Sequence, residues 1–232
     1  MPQSAVADSV IIPVPGGRIA ADLRCPDRAL GLVLFAHGSG SSRFSRRNRA
    51  VAEHLERHRF ATLLVDLLTR EEEAVDVYTA QHRFDIPLLG ERVMVATDWV
   101  AHRRDVGALP LGYFGASTGA AAALIGAAER PASVHAVVSR GGRPDLAGEA
   151  LPRVQAPTRL IVGSNDEPVI EMNRDAMRHM HALVELEIVR DATHLFEEPG
   201  TLEDVMRLAT EWFARYLSGQ DLQDGVAPFE SM

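Results

Sequence analysis

Residues 111–124 read LGYFGASTGAAAAL, and this stretch decides the fold. Its apolar start, residues 111–115, predicts a strand, and the small residues that follow predict a helix over residues 117–128. Between them, Gly115-Ala116-Ser117-Thr118-Gly119 matches the pattern G-x-S-x-G. A serine on such a sharp turn has a strained backbone, and only small neighbours let the strand and the helix approach closely. Ser117 is therefore predicted to be a nucleophile, the alternative being a helix cap in a structural turn.

Segments with the same two patterns extend in both directions from this stretch. Leu89, Val93, Ala96 and Val100 recur at helical spacing and predict one face of a buried helix. Other helices are predicted over residues 45–58, 169–180 and 202–217. Short apolar runs predict strands over residues 9–14, 18–23, 31–36, 61–65, 134–139, 158–162 and 184–189.

The order of these segments defines the fold class. Only Pro15, Gly16 and Gly17 separate the first two strands, which predicts an antiparallel hairpin, whereas every later pair is separated by enough chain for a crossover helix. We therefore expect an α/β protein with a mostly parallel central sheet of about eight strands and helices on both faces.

Length and charge limit the organisation and the partners. The 232 residues fit one domain, predicted over residues 1–218, followed by a polar segment, residues 219–232, predicted to be a loose tail. The formal net charge of -8 argues against nucleic acid as a partner.

The compartment is predicted from what the sequence lacks. A single cysteine, Cys25, cannot form an internal disulfide, and the chain has no zinc-type Cys and His spacing. No signal peptide or membrane-spanning run is recognised. We expect a cytoplasmic protein that binds neither membrane nor metal.

Ligands of such sheets bind at the carboxyl ends of the strands. The loop His37-Gly38-Ser39-Gly40-Ser41-Ser42 follows one strand, and the amides of Ser39 and Thr118 are predicted to form an oxyanion hole. Two alternatives are a plain structural loop and a dinucleotide loop with Asp66 as the ribose-binding acid, although Arg43 stands where that motif has its third glycine.

Two further strand ends carry a candidate acid and a candidate base. Asp166 is the predicted acid, with Glu167 and Asp145 as alternatives, and it is also suited to capping the helix that starts near Pro168. His194 is the predicted general base, because it lies in the loop between the last strand and the last helix. His37 is expected to support its own loop. The remaining histidines are expected to be solvated or to lie inside a strand.

With these motifs in the order Ser117, Asp166, His194, the sequence resembles the α/β-hydrolase superfamily over nearly the whole chain. Its compact length, without room for a large lid, resembles the dienelactone hydrolase-like branch. Members with dienelactone hydrolase activity carry a cysteine nucleophile, whereas this chain has Ser117. The resemblance therefore implies a serine carboxylesterase that acts on a small ester through an acyl-enzyme and needs no metal or cofactor.

The sequence leaves two other functions possible and does not decide the roles of two loops. An acyltransferase would use the same triad, and a ligand-binding module would keep the fold without catalysis. Residues 41–48 are basic, and they either form a solvated helix start or attract a carboxylate-bearing substrate. Residues 67–77 are either a charged surface loop or a mobile flap over the site.

Overall fold

The structure, a computed structural model, describes residues 8–218 and contains one eight-stranded sheet. In chain order its strands are β1 (Asp8–Val14), β2 (Gly17–Arg24), β3 (Gly31–Ala36), β4 (Phe60–Val65), β5 (Leu111–Ala116), β6 (Val134–Arg140), β7 (Thr158–Gly163) and β8 (Val184–Val189). The helices are α1 (Arg46–Arg57), α2 (Arg70–Thr79), α3 (Ile86–Ala101), α4 (Thr118–Glu129), α5 (Glu167–His179) and α6 (Thr201–Leu217), with a 3₁₀ helix over Pro144–Arg153.

The strands lie in the spatial order β1-β2-β4-β3-β5-β6-β7-β8. The first two form an antiparallel hairpin, and β2 runs antiparallel to β4. All neighbours from β4 to β8 are parallel. This confirms the predicted fold class. After β3 the chain forms β4 on one side of β3 and then β5 on the other side. Open α/β sheets bind ligands in the crevice where the strand order reverses in this way, which here lies between the ends of β3 and β5.

Both faces of the sheet are covered by helices. On one face, α3 buries the predicted residues Leu89, Val93, Ala96 and Val100, and α4 packs beside it through its alanines. On the other face, α1 and α6 cover the sheet. Each fully buried Val or Leu side chain contributes about 1.5–3 kcal/mol, so the parallel strands are held from both sides.

Three segments differ from the sequence-based expectation. Residues 67–77 are mostly helical: α2 begins after Thr69, whose hydroxyl accepts from the Glu72 amide while the Glu72 carboxylate accepts from the Thr69 amide. This capping box starts the helix where charged residues had indicated a loop. The connection of β2 to β3 holds no helix, because β2 is paired antiparallel to β4 and needs no crossover. The 3₁₀ helix was not predicted.

Two further expectations concern the connection between β6 and β7 and the C-terminal tail. Within residues 8–218, the segment between β6 and β7 holds only the 3₁₀ helix, in agreement with the expectation of no large lid. No helix among these residues is long and apolar enough to cross a membrane. The predicted tail, residues 219–232, lies outside the described residues.

Candidate active site

Ser117 lies on the turn between β5 and α4 with φ 52° and ψ −124°. A positive φ is unfavourable for a residue with a side chain, so the surrounding structure must hold it. The Ser117 amide donates to Arg140 O at 3.2 Å, and the Ser117 carbonyl accepts from the Arg143 amide at 3.1 Å. These two bonds fix the turn to the end of β6. The predicted nucleophile thus has the strained backbone that its motif requires, and its side chain is partly exposed.

The two glycines of the motif are required by space. A Cβ at Gly115 would lie 2.5 Å from Cα of Ala120, and a Cβ at Gly119 would lie 2.3 Å from the carbonyl oxygen of Ala36. In both cases the neighbour is backbone, which cannot move aside easily. The glycines therefore let α4 start directly against β5 and the end of β3, which places the first amides of α4 at the site.

His194 and Asp166 form a pair at the ends of β8 and β7. Nδ1 of His194 lies 2.7 Å from Oδ2 of Asp166. Asp166 stands at the N-cap position of α5, yet its side chain makes no cap bond and contacts the imidazole instead. This contact fixes the ring orientation and favours the tautomer with the Nδ1 proton. The alternative role of Asp166 as a helix cap is not what the geometry shows.

The two alternative acids lie elsewhere. Asp145 accepts two hydrogen bonds from Arg143, at 2.9 and 2.8 Å, and is held in that pair. Glu167 is the first residue of α5 and is exposed. Of the three candidates, only Asp166 contacts His194. In the described structure, no direct hydrogen bond joins Ser117 Oγ to His194. The distance between a nucleophile and its base is often long until the substrate binds.

The predicted oxyanion donors lie next to each other. The amide of Ser39 donates to Oγ1 of Thr118 at 2.9 Å. The amide of Thr118 is the first of α4, and such amides have no acceptor within their own helix. The two residues therefore come together, but the Ser39 amide already has a partner.

His37 holds the loop of residues 37–42, which is called the oxyanion loop here after its predicted role. Its ring is buried, its Nδ1 lies 2.9 Å from Gly38 O, and its Nε2 accepts from the Leu67 amide at 3.1 Å. Burial lowers the pKa of His37 below its ordinary value, although the bond to Gly38 and the charges of Asp66 and Glu73 raise it. A neutral His37 thus supports its own loop, as expected, and also joins it to the chain after β4. The remaining histidines are all at least partly exposed.

Comparisons with known proteins show the family of the chain. A family model described as the dienelactone hydrolase family matches residues 19–217. The chain belongs to the dienelactone hydrolase family. It is 56% identical to a dienelactone hydrolase from Anabaena variabilis, with a TM-score of 0.90 over 92% of this chain and 99% of that one. Membership of the family supports hydrolase chemistry.

Other matches add the fold and one differing name. Est1E from Butyrivibrio proteoclasticus has a TM-score of 0.74 at 17% identity, over 90% of this chain and 98% of that one, which shows the fold alone. Two Mycobacterium tuberculosis proteins, provisionally named phosphoribosyl transferases, are 54% identical over 207 residues. The match covers 89% of this chain, but the chain spans only 45% of the length of these relatives.

A cavity of ≈ 130 Å³ opens beside the oxyanion loop of this dienelactone hydrolase family member. One wall is the loop from His37 to Ser41, and the opposite wall is α2 with the start of the α2–α3 connection. Leu68 and Leu89 supply apolar lining, and Glu73, Asp76, Val77 and Arg83 complete the wall. From the sequence, residues 67–77 were expected to be either a charged surface loop or a mobile flap over the site; in the structure most of them form a helix that lines this cavity. The pattern Thr69-x-x-Glu72 is the signal that would have predicted the helix.

The wall is fixed by a buried ion pair. Oδ2 of Asp76 accepts from Nε of Arg83 at 2.6 Å, and Oδ1 accepts from the amides of His82 and Arg83. Burial raises the pKa of Asp76, but these hydrogen bonds outweigh burial and hold the pKa below its ordinary value. Asp76 therefore stays ionised and ties α2 to the chain that follows it.

The remaining candidates have other partners. Arg43 pairs with Asp22 and with Asp66, whose carboxylate also accepts from the Arg43 amide. Asp66 is therefore not free to bind a ribose, and Arg43 is not free to bind a carboxylate. Residues 46–48 begin α1 behind Ser45, so this basic segment is a helix start. Among residues 8–218, no three His, Cys, Asp or Glu side chains are grouped so that they could hold a metal ion.

Proposed function

We propose that the chain is a serine hydrolase that cleaves a carboxylic ester of a small substrate. The observation that carries the proposal is the 2.7 Å contact of His194 Nδ1 with Asp166, at the same edge of the sheet as a serine held at positive φ. In a member of the dienelactone hydrolase family, a serine, a histidine and an aspartate in this arrangement are suited to acyl transfer through Ser117.

The mechanism has two steps. His194 takes the proton of Ser117 through Nε2 while Oγ attacks the ester carbonyl, and the alcohol leaves with a proton from His194. Water, which gives a proton to His194, then attacks the acyl-enzyme; the carboxylic acid leaves, and His194 returns the proton to Oγ, which restores Ser117. Asp166 stabilises the imidazolium that forms in both steps.

The oxyanion is stabilised at the start of α4. The Thr118 amide and the positive end of the α4 dipole point to the carbonyl oxygen that gains charge, and the Ser39 amide supplies the second donor. Because Oγ1 of Thr118 holds the Ser39 amide in the free enzyme, the oxyanion must replace that hydroxyl as acceptor. A charged oxygen is the stronger acceptor, so the exchange is favourable.

The substrate is proposed to be small. The cavity of ≈ 130 Å³ lies beside the oxyanion loop and is lined by Ser39 but not by Ser117 or His194. It has room for a short acyl or alcohol group of a substrate that reaches past Ser39, and Leu68, Val77 and Leu89 give it apolar contacts. We assign ester hydrolysis rather than phosphoribosyl transfer, because residues 19–217 match the dienelactone hydrolase family and the relatives with the other name are about twice as long.

A fluorophosphonate probe tests the nucleophile. It should label the wild-type protein and fail to label Ser117→Ala, whereas Ser39→Ala, which changes a nearby serine but keeps its amide, should still be labelled. p-Nitrophenyl acetate should be turned over by the wild type and not by His194→Ala. Equal labelling of wild type and Ser117→Ala would contradict the proposal.

A further inference from the structure

Arg140, the last residue of β6, is a buried cation whose side chain has no carboxylate partner among residues 8–218. It is 8% exposed, and its one side-chain hydrogen bond runs from Nη2 to Oδ1 of Asn48 at 3.4 Å. Its Nε and Nη1 are buried and have no hydrogen-bond partner within residues 8–218. Burial, with the nearby charge of Arg47, lowers the pKa of Arg140 to about 10, so the guanidinium is still protonated at neutral pH. A buried charge of this kind is costly unless something compensates it.

The other buried arginines of the described chain have carboxylate partners. Arg92 donates to Glu72 at 2.7 Å, and Arg159 donates to Glu185 at 2.5 Å. Arg140 forms no such ion pair with any residue between 8 and 218. The difference indicates that the compensating anion of Arg140 is not part of this segment of the protein.

Arg140 is directed at the N-terminus of α1, which is itself positive. Asn48 belongs to the first turn of this 12-residue helix, and the turn carries no acidic residue. Instead it contains Arg46 and Arg47, against the usual preference for carboxylates at the positive end of the helix dipole. Nε of Arg47 is also buried, without a partner in the described part of the chain. The Asn48 amide donates to the Ser45 hydroxyl at 3.3 Å. The amides left for a ligand are therefore those of Arg46 and Arg47. Helix N-termini with free amides and arginines are anion sites in many proteins.

We propose that the N-terminus of α1, together with Arg47, Asn48 and Arg140, forms a binding site for a phosphoryl dianion. Two guanidinium groups and a helix N-terminus match a doubly charged tetrahedral anion, whereas a single carboxylate would leave one guanidinium uncompensated. Glu197 contacts Nη1 of Arg47 at 3.0 Å and is 63% exposed. Such an exposed pair is weak, so phosphate displaces Glu197 at small cost.

The site lies at the same strand ends as Ser117, because Arg140 O accepts from the Ser117 amide. The ligand is therefore the phosphoryl group of an ester substrate. This assignment to the substrate rests on the proposed hydrolase function, whereas the binding of phosphate does not.

Calorimetric titration with inorganic phosphate at pH 8, where the dianion prevails, tests the site directly. Wild type and Ser117→Ala should bind with equal affinity, Arg140→Met should bind at least tenfold more weakly, and Glu197→Gln should bind several-fold more tightly. Arg159→Met, which removes a buried arginine that has a partner, is the matched control and should bind like wild type. If Arg140→Met does not fold, Arg47→Gln should show the same loss. Absence of phosphate binding by wild type, equal affinity for acetate, or an unchanged affinity of Arg140→Met would overturn the site.

Two esters that differ only in the phosphoryl group test the assignment to the substrate. The value of kcat/KM for 2-acetoxyethyl phosphate should exceed that for 2-acetoxyethanol at least tenfold, and Arg140→Met should lose this preference while Arg159→Met keeps it. Equal values in the wild type would overturn the assignment. Phosphate binding without turnover of either ester would contradict the hydrolase function and leave the binding site standing, whereas turnover of 2-acetoxyethanol without phosphate binding would do the reverse.

Discussion

The hydroxyl of Thr118 accepts a hydrogen bond of 2.9 Å from the backbone amide of Ser39. These are the two residues whose amides are predicted to bind the oxyanion, and they come from the ends of β5 and β3. The bond fixes the oxyanion loop against α4 and at the same time engages one of the two donors.

Removing this hydroxyl should speed up turnover. Thr118→Val keeps the shape of the side chain and frees the Ser39 amide, so the oxyanion no longer has to replace a hydrogen bond with a net value of about 1 kcal/mol. We expect kcat for p-nitrophenyl acetate to rise about fivefold. Thr118→Ser keeps the hydroxyl and should behave like wild type. A fall in kcat for Thr118→Val would show that the bond serves mainly to position the loop.

The contact of Asp166 with His194 makes a second prediction. Asp166→Asn keeps the size of the side chain but no longer favours the required tautomer or stabilises the imidazolium, so kcat should fall about 10⁴-fold with little change in KM. Glu167→Gln, at the exposed neighbour, should lie within twofold of wild type. Steady-state kinetics on one ester measures both variants. A comparable loss in Glu167→Gln would identify Glu167 as the acid instead.

The close approach at Gly119 predicts a large effect on stability. In Gly119→Ala the new methyl group would lie 2.3 Å from the carbonyl oxygen of Ala36 and 2.4 Å from that of His37. We expect the free energy of unfolding in urea to fall by about 3 kcal/mol, because backbone must move. Gly200→Ala is the control: φ is 86° there, no atom lies within 4 Å, and the cost should be about 1 kcal/mol from the backbone alone. Equal costs at both positions would contradict the steric argument.

His37 predicts a pH dependence of stability. Burial lowers its pKa in the folded protein below the ordinary value of 6.5, so the unfolded chain binds a proton first as the pH falls. The contribution of neutral His37 to the free energy of unfolding is complete above pH 6.5. Below that pH it is lost, by up to about 1.4 kcal/mol per pH unit. Urea unfolding at pH 7.5, 6 and 5 should show a steeper loss for wild type than for His37→Gln. Parallel curves would contradict the prediction.

The sequence determined most of the fold and of the catalytic candidates. Apolar runs and helical spacing predicted all eight strands and five of the six α-helices, because burial from both sides leaves a pattern that can be read locally. The G-x-S-x-G turn predicted where Ser117 would lie, since its glycines are needed for steric reasons that the chain itself expresses. Helix α2 was missed because the charges of residues 70–73 obscured its capping box.

Tertiary structure alone decided which distant side chains meet. Asp166 was the predicted acid, with Glu167 and Asp145 as alternatives of the same chemical type, and the folding of β7 beside β8 is what brings Asp166 to His194. Neither the bond of the Ser39 amide to Thr118 nor the lack of a carboxylate partner for Arg140 within residues 8–218 has a signal in the sequence. The first depends on a contact between two residues that are 79 positions apart in the sequence, and the second on a contact between two residues that are 92 positions apart. The order of the strands sets such contacts, and a local sequence pattern does not contain them.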